Sequence, residues 1–454
     1  MDLTLIVVLV IALALFFDFT NGFHDTANAM ATPIATGAMK PKVAVGLAAV
    51  LNLVGAFLST AVATTISSGL IREGNGGVQI SPTMIFAGLV GAVIWNMVTW
   101  LFGLPSSSSH ALFGGLIGAA IVGAGFASVN YSVLLSKVVI PAVIAPVIAG
   151  FVAYAATRIV YAITRRYDGR PDGRDGFRHG QIFSSSLVAL AHGTNDAQKT
   201  MGVITLVLIS GGFLAGGSDV PFWVIVACAF AIALGTYTGG WRIIHTLGKG
   251  LTDVKPAQGF AAETSTAAAI LASTHLGFAL STTQVASGSV IGSGLGRRGS
   301  RVRWKTARRI AMGWLLTLPA SALVGALAAW VAHLGPVGVL LDTVLGAGVI
   351  AMIFIVSSRR RVTSASMAAG VAGMSEVAQS GRAVKIKKPK QPKQPKKPRK
   401  PKKSQKPKKP GKLQDLKKAT KPKTTTKGKK PKNSMSAELD PVQPPTKDKK
   451  KSSA

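Results

Sequence analysis

The stretch FDFTNGFHDTANAMATPIATGAM, residues 17–39, lies inside an apolar N-terminal segment yet carries aspartate, asparagine and histidine side chains. Four of them are spaced three, four and three residues apart, which places them on one face of a helix: Asp18, Asn21, Asp25 and Asn28. A polar stripe is costly inside a bilayer, so it normally faces a site, a cavity or a partner. The stretch therefore predicts a membrane helix whose polar face lines a functional site.

A near-copy of this stretch occurs in the second half of the chain as AHGTNDAQKTMGVITLVLISG, residues 191–211. The alignment matches Gly22 with Gly193 and Asp25 with Asp196. One intramembrane aspartate is as readily structural as functional, but a pair inside matching motifs favours a functional role.

A second pair of motifs interrupts the apolar segments, as GLPSSSSH at residues 103–110 and GFALSTTQ at residues 277–284. Ser107 aligns with Ser281, and the separations from the preceding aspartates are similar, at 82 and 85 residues. A Gly or Pro break followed by hydroxyl groups leaves backbone N–H groups free at the start of a half-helix, which suits an anion. The carboxylates suit a cation that accompanies the anion.

Composition points to a membrane protein without a catalytic domain. The 454 residues are 48% hydrophobic and only 15% charged, and they include 50 glycines, as is typical of membrane helix bundles. The single cysteine, Cys228, excludes an intramolecular disulfide. The sequence contains no Walker A loop and no recognisable set of nucleophile, base and orienting residue, so an enzyme is not expected.

Apolar segments follow one another from residue 3 to residue 357, and several exceed the roughly 20 residues that cross a bilayer. Two segments, 108–127 and 282–296, are short and rich in glycine, which suggests half-helices. The fold class predicted is an all-α polytopic membrane protein of about 10–12 membrane segments with re-entrant or broken helices.

Lysine and arginine clusters set the expected orientation. They occur near Lys40, in residues 165–178, 242–255 and 297–309, and in the tail, and the positive-inside rule places all of them in the cytoplasm. The first motif then runs outside to inside and its copy runs inside to outside, which defines two inverted-topology repeats. The predicted organisation is membrane repeat A at 1–164, a cytoplasmic linker loop at 165–183, membrane repeat B with an extra C-terminal span at 184–357, and a basic, disordered cytoplasmic tail at 358–454.

The net charge of +35 comes mainly from this tail. Residues 382–454 hold 28 Lys/Arg and 4 Asp/Glu, a net +24, against 24 and 13, a net +11, in residues 1–381. A Lys/Pro-rich composition cannot build a packed core. The tail is either a solvated extension or a segment attracted to anionic lipids, to which each basic charge contributes roughly 1 kcal/mol. Nucleic acid is the weaker alternative because no aromatic residues lie between the lysines.

The motifs resemble those of the inorganic phosphate transporter (PiT) family of secondary transporters. The family's G-x-N-D-x-x-N-A signature reads GFHDTANA at residues 22–29, and a bacterial G-x-N-D-x-Q-K-x-x-G version reads GTNDAQKTMG at residues 193–202. Serine- and threonine-rich elements of the family match at residues 105–110 and 281–284. The resemblance covers about residues 1–357, with two departures: His24 stands where Asn is common, and Ala279 stands where the proline would repeat.

The resemblance implies a symporter of the cytoplasmic membrane that binds phosphate between the two repeats and couples its entry to H⁺ or Na⁺. It implies no cofactor and no structural metal, and it leaves a homodimer open; membrane lipids are the remaining partners. The phosphate contacts implied are Asp25, Asn28, Ser107, Ser108, Ser109, Asp196, Lys199, Ser281, Thr282 and Thr283. The cation contacts implied are Asp18, Asn21, His24, Asp25, Asn195 and Asp196.

Three alternatives stay open at this point. An ion channel would show ring-forming filter segments and would need no paired sites. A membrane anchor that only carries the tail would leave the duplicated aspartates unexplained. Within the transporter class, sulfate or metal-phosphate is the second choice of substrate, and paired aspartates favour phosphate because phosphate donates hydrogen bonds to carboxylates while sulfate does not.

Overall fold

All regular elements in the described part of the chain are helical, as the sequence predicts. The computed structural model describes residues 2–69, 80–168, 175–276, 280–359 and 362–366, so Ala279 and most of the predicted tail lie outside the described residues. The first-half helices are α1 (Leu3–Thr36), α2 (Pro41–Gly55), α3 (Ala61–Gly69), α4 (Pro82–Leu101), α5 (Ser108–Ala124), α6 (Tyr131–Val133) and α7 (Ile140–Asp168). The second-half helices are α8 (Asp175–Ser210), α9 (Phe222–Thr238), α10 (Trp241–His245), α11 (Pro256–His275), α12 (Thr282–Gly296), α13 (Trp304–Ala332) and α14 (Pro336–Ser358).

Several helices have the length and composition of membrane spans. Within the described residues, five segments qualify: Leu3–Thr36, Pro82–Leu101, Tyr131–Thr164, Trp304–Ala332 and Pro336–Ser358. A sixth is obtained if α9 and the segment Trp241–Gly250, which is bent from it by 58°, form one broken span. The remaining helices are short or carry many polar residues. The total of 10–12 membrane segments therefore stays a prediction.

Helices α5 and α12 begin at the two serine-rich motifs and are too short to cross a bilayer, with 17 and 15 residues. Each starts with the same cap. The Ser107 hydroxyl accepts a hydrogen bond from the His110 N–H at 3.2 Å, and the Ser281 hydroxyl accepts one from the Gln284 N–H at 3.4 Å. The caps fix the start of each half-helix at the motif, because they satisfy N–H groups that have no partner inside the helix.

The half-helix of each half of the chain packs against a long helix of the other half. Helix α5 of the first half packs on α13 of the second half, and α12 of the second half packs on α7 of the first. Matched glycines make both contacts possible: Gly118 lies against the backbone oxygen of Ala322, and Gly292 lies against that of Gly150. A Cβ at either glycine would collide with backbone atoms of the facing helix.

The helices that carry the aspartate motifs also pack against helices of the other half. Gly22 on α1 lies against the Ile232 backbone on α9, while Gly193 on α8 lies against the Asn52 backbone on α2. Since the four contacts occur at matched positions, the duplication seen in the sequence extends to the packing. It brings α1 and α8 into direct contact. The inverted orientation of the halves stays a prediction.

The connection between the halves is shorter than the predicted linker at 165–183. Helix α7 continues to Asp168 and α8 begins at Asp175. The extra turns at the start of α8 are stabilised by α11, where Gln181 and Ser184 donate hydrogen bonds to the Glu263 carboxylate at 3.1 and 2.6 Å. Gln181, which falls in the predicted linker, is therefore helical and buried.

The glycine contacts give the first prediction. Gly118→Ala is expected to lower the unfolding free energy by about 1–3 kcal/mol, because the added Cβ pushes α5 away from α13. Gly46→Ala is the control, since its Cβ meets nothing within 4 Å and alanine favours a helix. Thermal unfolding in detergent measures both. Equal melting temperatures for Gly118→Ala and the unsubstituted protein would contradict the close approach.

Candidate functional site

The polar stripe of α1 is buried, as its spacing predicts. Asp18, Asn21, Asp25 and Asn28 are each at most 7% exposed. The stripe faces α8 and the start of α12. The Asn28 amide donates to the Thr283 hydroxyl at 3.0 Å and to the Thr282 hydroxyl at 3.3 Å. The α1 motif and the second serine/threonine motif, which are separated by about 250 residues in the chain, thus form one site.

Thr282 connects the two aspartates of the duplicated motifs. Its hydroxyl lies 3.1 Å from Oδ2 of Asp196 and 3.4 Å from Oδ2 of Asp25. Both carboxylates are almost fully buried. Thr282, the first residue of α12, is therefore in direct contact with the aspartate motif of each half.

Lys199 supplies the positive charge of the site. Its ammonium group forms an ion pair with Asp196 and donates to the Leu280 carbonyl oxygen at 3.1 Å. The Ser109 hydroxyl of the first half donates to the same carbonyl at 3.4 Å. Asp18 is also a charged neighbour of this lysine, but the ion pair is with Asp196.

His24 links Asp25 to the first serine-rich motif. Its Nδ1 lies 2.6 Å from Oδ1 of Asp25. Its Nε2 lies 3.3 Å from the Ser106 hydroxyl and 3.4 Å from the Thr99 hydroxyl. The departure from the family's asparagine thus adds a ring that holds the carboxylate and the motif together.

His192 contacts both aspartates although it is outside the predicted set of site residues. Its Nε2 lies 2.9 Å from Oδ2 of Asp196 and 3.9 Å from Oδ2 of Asp25. Its Nδ1 lies 3.3 Å from the Asn52 side-chain oxygen, and Asn52 in turn donates to Thr236 at 2.7 Å. The signal in the sequence is the spacing of four residues between His192 and Asp196, which puts both on one helix face.

Other predicted site residues lie farther from the aspartates or serve as caps. Ser107 and Ser281 cap the half-helices. The Asn195 amide donates to Thr274 at 3.0 Å, within the α8–α11 contact. Ser108 is buried, and its hydroxyl has no hydrogen-bond partner among the described residues.

Asp18 is buried without a hydrogen bond from any described residue to its carboxylate oxygens. It faces Thr200, and its charged neighbours are His192, Asp196 and Lys199. The side-chain oxygen of Asn21, one turn along α1, also lacks a partner among the described residues. A buried carboxylate in this position needs a proton or a cation, since an unpaired buried charge is very costly.

Three side chains offer a compact set of cation ligands. One atom each of Asp25, His192 and Asp196 lies within 4.8 Å of the others, and all three residues are buried. A carboxylate, a carboxylate and an imidazole suit several small cations. Lys199 already neutralises part of this negative charge, so a bound cation would share Asp196 with the lysine.

Glu263 forms a second buried acidic group, which the sequence analysis did not select. It accepts hydrogen bonds from Thr32 on α1 and from Gln181 and Ser184 on α8. Its partners are all neutral. Nothing in the spacing of the sequence connects these positions, because the contact depends on how α11 packs against α8.

Known proteins with similar sequences carry a common description. The sequence model of a family described as "Phosphate transporter family" matches residues 21–325. A Mycobacterium leprae protein named "Probable low-affinity inorganic phosphate transporter" is 59% identical over 331 residues, which are 72% of this chain and 78% of the relative. A Bacillus subtilis protein of the same name is 42% identical over 74% of this chain and 99% of the relative.

A solved structure described as "The sodium-dependent phosphate transporter" has a similar fold. It superposes with a TM-score of 0.63 and covers 73% of this chain and 99% of its own length. The sequence identity is 23%, so this similarity supports the fold alone.

Proposed function

The chain belongs to the phosphate transporter family, and on that premise we propose that it is a symporter that carries inorganic phosphate into the cell together with a cation. It acts in the cytoplasmic membrane with its tail in the cytoplasm. Its role is transport rather than catalysis. Inorganic phosphate and a coupling cation are the proposed ligands, and no cofactor is involved.

The observation that carries the proposal is the position of Thr282 between Asp25 and Asp196. A hydroxyl that bonds both carboxylates marks the point where a ligand can contact both halves of the chain. Thr283 and the Asn28 amide lie beside it, and the Lys199 ammonium group lies on the other side of Asp196. In our proposal phosphate replaces the bonds of Thr282 to the two aspartates.

The donors and acceptors of the site match monohydrogen phosphate. Lys199, Asn28 and the hydroxyl groups of Thr282 and Thr283 donate to phosphate oxygens. The single hydroxyl group of monohydrogen phosphate donates to a carboxylate. Sulfate cannot do this at neutral pH because it carries no proton. The buried carboxylates therefore favour phosphate over sulfate.

We assign cation coupling to the groups around Asp18 and Asp25. Asp18 has no hydrogen bond from a described residue and requires a proton or a cation for the reason given above. Lys199 stands at the position of the neutral Asn28 in the other half, so it supplies a fixed charge where a symmetric site would bind a further cation. This arrangement reduces the number of coupling cations that the second half needs, and we propose H⁺ rather than Na⁺ as the coupling ion.

An exchange experiment tests the substrate. Proteoliposomes preloaded with unlabelled phosphate should take up labelled phosphate by counterflow without any ion gradient. The control uses vesicles preloaded with unlabelled sulfate, which should not exchange it for labelled sulfate added outside. Faster exchange of sulfate than of phosphate would contradict the assignment of the substrate.

The proposed orientation gives a second prediction. In a Cys228→Ser background, Arg298→Cys should resist an impermeant thiol reagent added outside intact cells, whereas Leu334→Cys at the other end of α13 should react. Arg298 and Leu334 are both exposed, so access from the two sides of the membrane decides the labelling. Labelling of Arg298→Cys alone would reverse the orientation proposed for α13.

A further inference from the structure

A large apolar cavity lies beside the two half-helices, with His110 of α5 and Gln284 of α12 among its lining residues. It has a volume of about 800 Å³ and is walled by α7, α12 and α13. The residues at its mouth are apolar and about two-thirds exposed, among them Val143, Val147, Phe151 and Leu315. In a membrane protein, such a mouth faces the lipid chains, because water is absent from the bilayer core.

A basic cavity continues the apolar one. It has a volume of about 650 Å³ and is lined by Trp304, Lys305 and Arg308 at the start of α13. The two cavities share Ile291, Ala311 and Trp314 as walls, so they form one groove, called here the α13 groove. Lys305 and Arg308 are exposed, and no ion pair is recorded for them within the described residues.

The dimensions of the α13 groove match one leaflet of a bilayer. Arg308 and Pro319 mark its basic and inner ends, and eleven residues of α helix rise about 16 Å. The hydrocarbon core of a bilayer is about 30 Å thick, so half of it is about 15 Å. The volume of the apolar cavity lies within the roughly 300–1,000 Å³ of pockets that hold small molecules.

We propose that the α13 groove binds one anionic phospholipid of the inner leaflet, with its phosphate headgroup at Lys305 and Arg308 and an acyl chain in the apolar cavity. The basic end carries the charge that an anionic headgroup requires, and Trp304 is an aromatic side chain of the kind that is enriched at membrane interfaces. A second copy of the chain is the other candidate occupant, and the exposed positive charges of Lys305 and Arg308 at the end of the groove favour an anionic headgroup over it.

The bound chain contacts residues that support the serine-rich motifs. The inner end of the groove is closed by His110 and Gln284, whose side chains lie 3.4 Å apart. They follow the capping serines of α5 and α12 by three residues. Trp314, in the wall, donates to the Pro105 carbonyl at 3.0 Å. The lipid therefore packs directly behind the two half-helix starts.

Native mass spectrometry of the full-length protein tests the site. The protein, delipidated in detergent, is titrated with phosphatidylglycerol and separately with phosphatidylcholine of the same acyl chains. One phosphatidylglycerol should bind with an affinity well above that of further copies and of phosphatidylcholine. The Lys305→Gln/Arg308→Gln double variant should weaken that first binding about 30-fold, as expected for two basic groups at a membrane surface.

Matched variants separate the groove from general charge and from folding. Arg298→Gln/Arg301→Gln removes the same charge from exposed positions outside the groove and should leave the first binding unchanged. Val143→Trp should fill the mouth of the apolar cavity and reduce binding, while Val152→Trp on the same helix lies outside the lining and should not. Thermal unfolding of each variant shows whether the fold is kept. If Val143→Trp does not fold, the comparison between the two double charge variants decides.

Three outcomes would overturn the proposal. The first is equal affinity for the two lipids. The second is that the Lys305→Gln/Arg308→Gln and Arg298→Gln/Arg301→Gln variants weaken the binding of phosphatidylglycerol equally. The third is a change from dimer to monomer on Val143→Trp with lipid binding unchanged, which would assign the groove to a second copy of the chain.

Discussion

Replacing either Asp25 or Asp196 with asparagine should reduce phosphate uptake at least a hundredfold while the protein still inserts into the membrane. The substitution keeps the shape of the side chain and removes its charge. Lys199 and His192 then face a neutral amide at Asp196, and His24 does so at Asp25. Removing one partner of a buried ion pair costs about 3–5 kcal/mol, which corresponds to two or more orders of magnitude in binding.

Asp342→Asn is the matched control for the two aspartate variants. Asp342 is also a buried aspartate on an apolar helix, but α14 packs on α4 and α13 and not on the aspartate motifs. Phosphate uptake by Asp342→Asn should stay within about twofold of that of the unsubstituted protein, because the contacts around Asp25 and Asp196 are unchanged. Near-normal uptake by both Asp25→Asn and Asp196→Asn, at equal amounts in the membrane, would rule out the assigned binding site.

Lys199→Asn should have the second largest effect. The variant loses the ion pair with Asp196 and the hydrogen bond to Leu280, and it recreates the neutral residue of the other half. The apparent affinity for phosphate is expected to fall at least tenfold, and uptake should become dependent on external Na⁺, which takes over the neutralisation of Asp196. Phosphate uptake measured against external Na⁺ at fixed pH reports both changes.

Two further variants interpret the lysine result. Lys199→Arg keeps the charge and should be partly tolerated, although a planar guanidinium cannot reproduce every contact of a compact ammonium group. Lys42→Asn removes an exposed lysine and should change neither affinity nor Na⁺ dependence. A Lys199→Asn protein with unchanged affinity and unchanged cation dependence would leave this lysine a structural partner of Asp196.

The local part of the site could be predicted from the sequence. The spacing of Asp18, Asn21, Asp25 and Asn28 requires only a helix to bring them to one face, and all four are buried together. The all-helical fold follows from the apolar segments, and the half-helix starts follow from the serine-rich motifs after Gly or Pro. Each inference uses neighbours in the chain, where the period of a helix fixes the geometry.

Contacts between distant helices could not be predicted in this way. His192 and Asn52 are 140 residues apart, and they meet because α8 packs on α2 through Gly193. Thr282 and Ser108 follow the aligned serines Ser281 and Ser107, yet Thr282 bonds both aspartates while the Ser108 hydroxyl has no partner among the described residues. The duplication predicts equivalent positions, whereas the contacts depend on how the two halves interlock.

The group around Glu263 shows a different limit. Gln181 falls in the polar stretch that reads as a linker, but α8 begins at Asp175 and carries it into contact with Glu263. Polar composition indicates exposure to water unless a buried partner is known. The partner lies 82 residues further along the chain, so the sequence alone favours a loop.

The most direct test of the account is uptake of radiolabelled phosphate into proteoliposomes, with a pH gradient and a Na⁺ gradient imposed separately. We predict that an inwardly directed proton gradient drives phosphate accumulation above the equilibrium level, that a Na⁺ gradient alone drives little, and that Asp25→Asn and Asp196→Asn accumulate none. Phosphate that only equilibrates across the membrane under both gradients, at a rate unaffected by these substitutions, would contradict cation-coupled transport at this site.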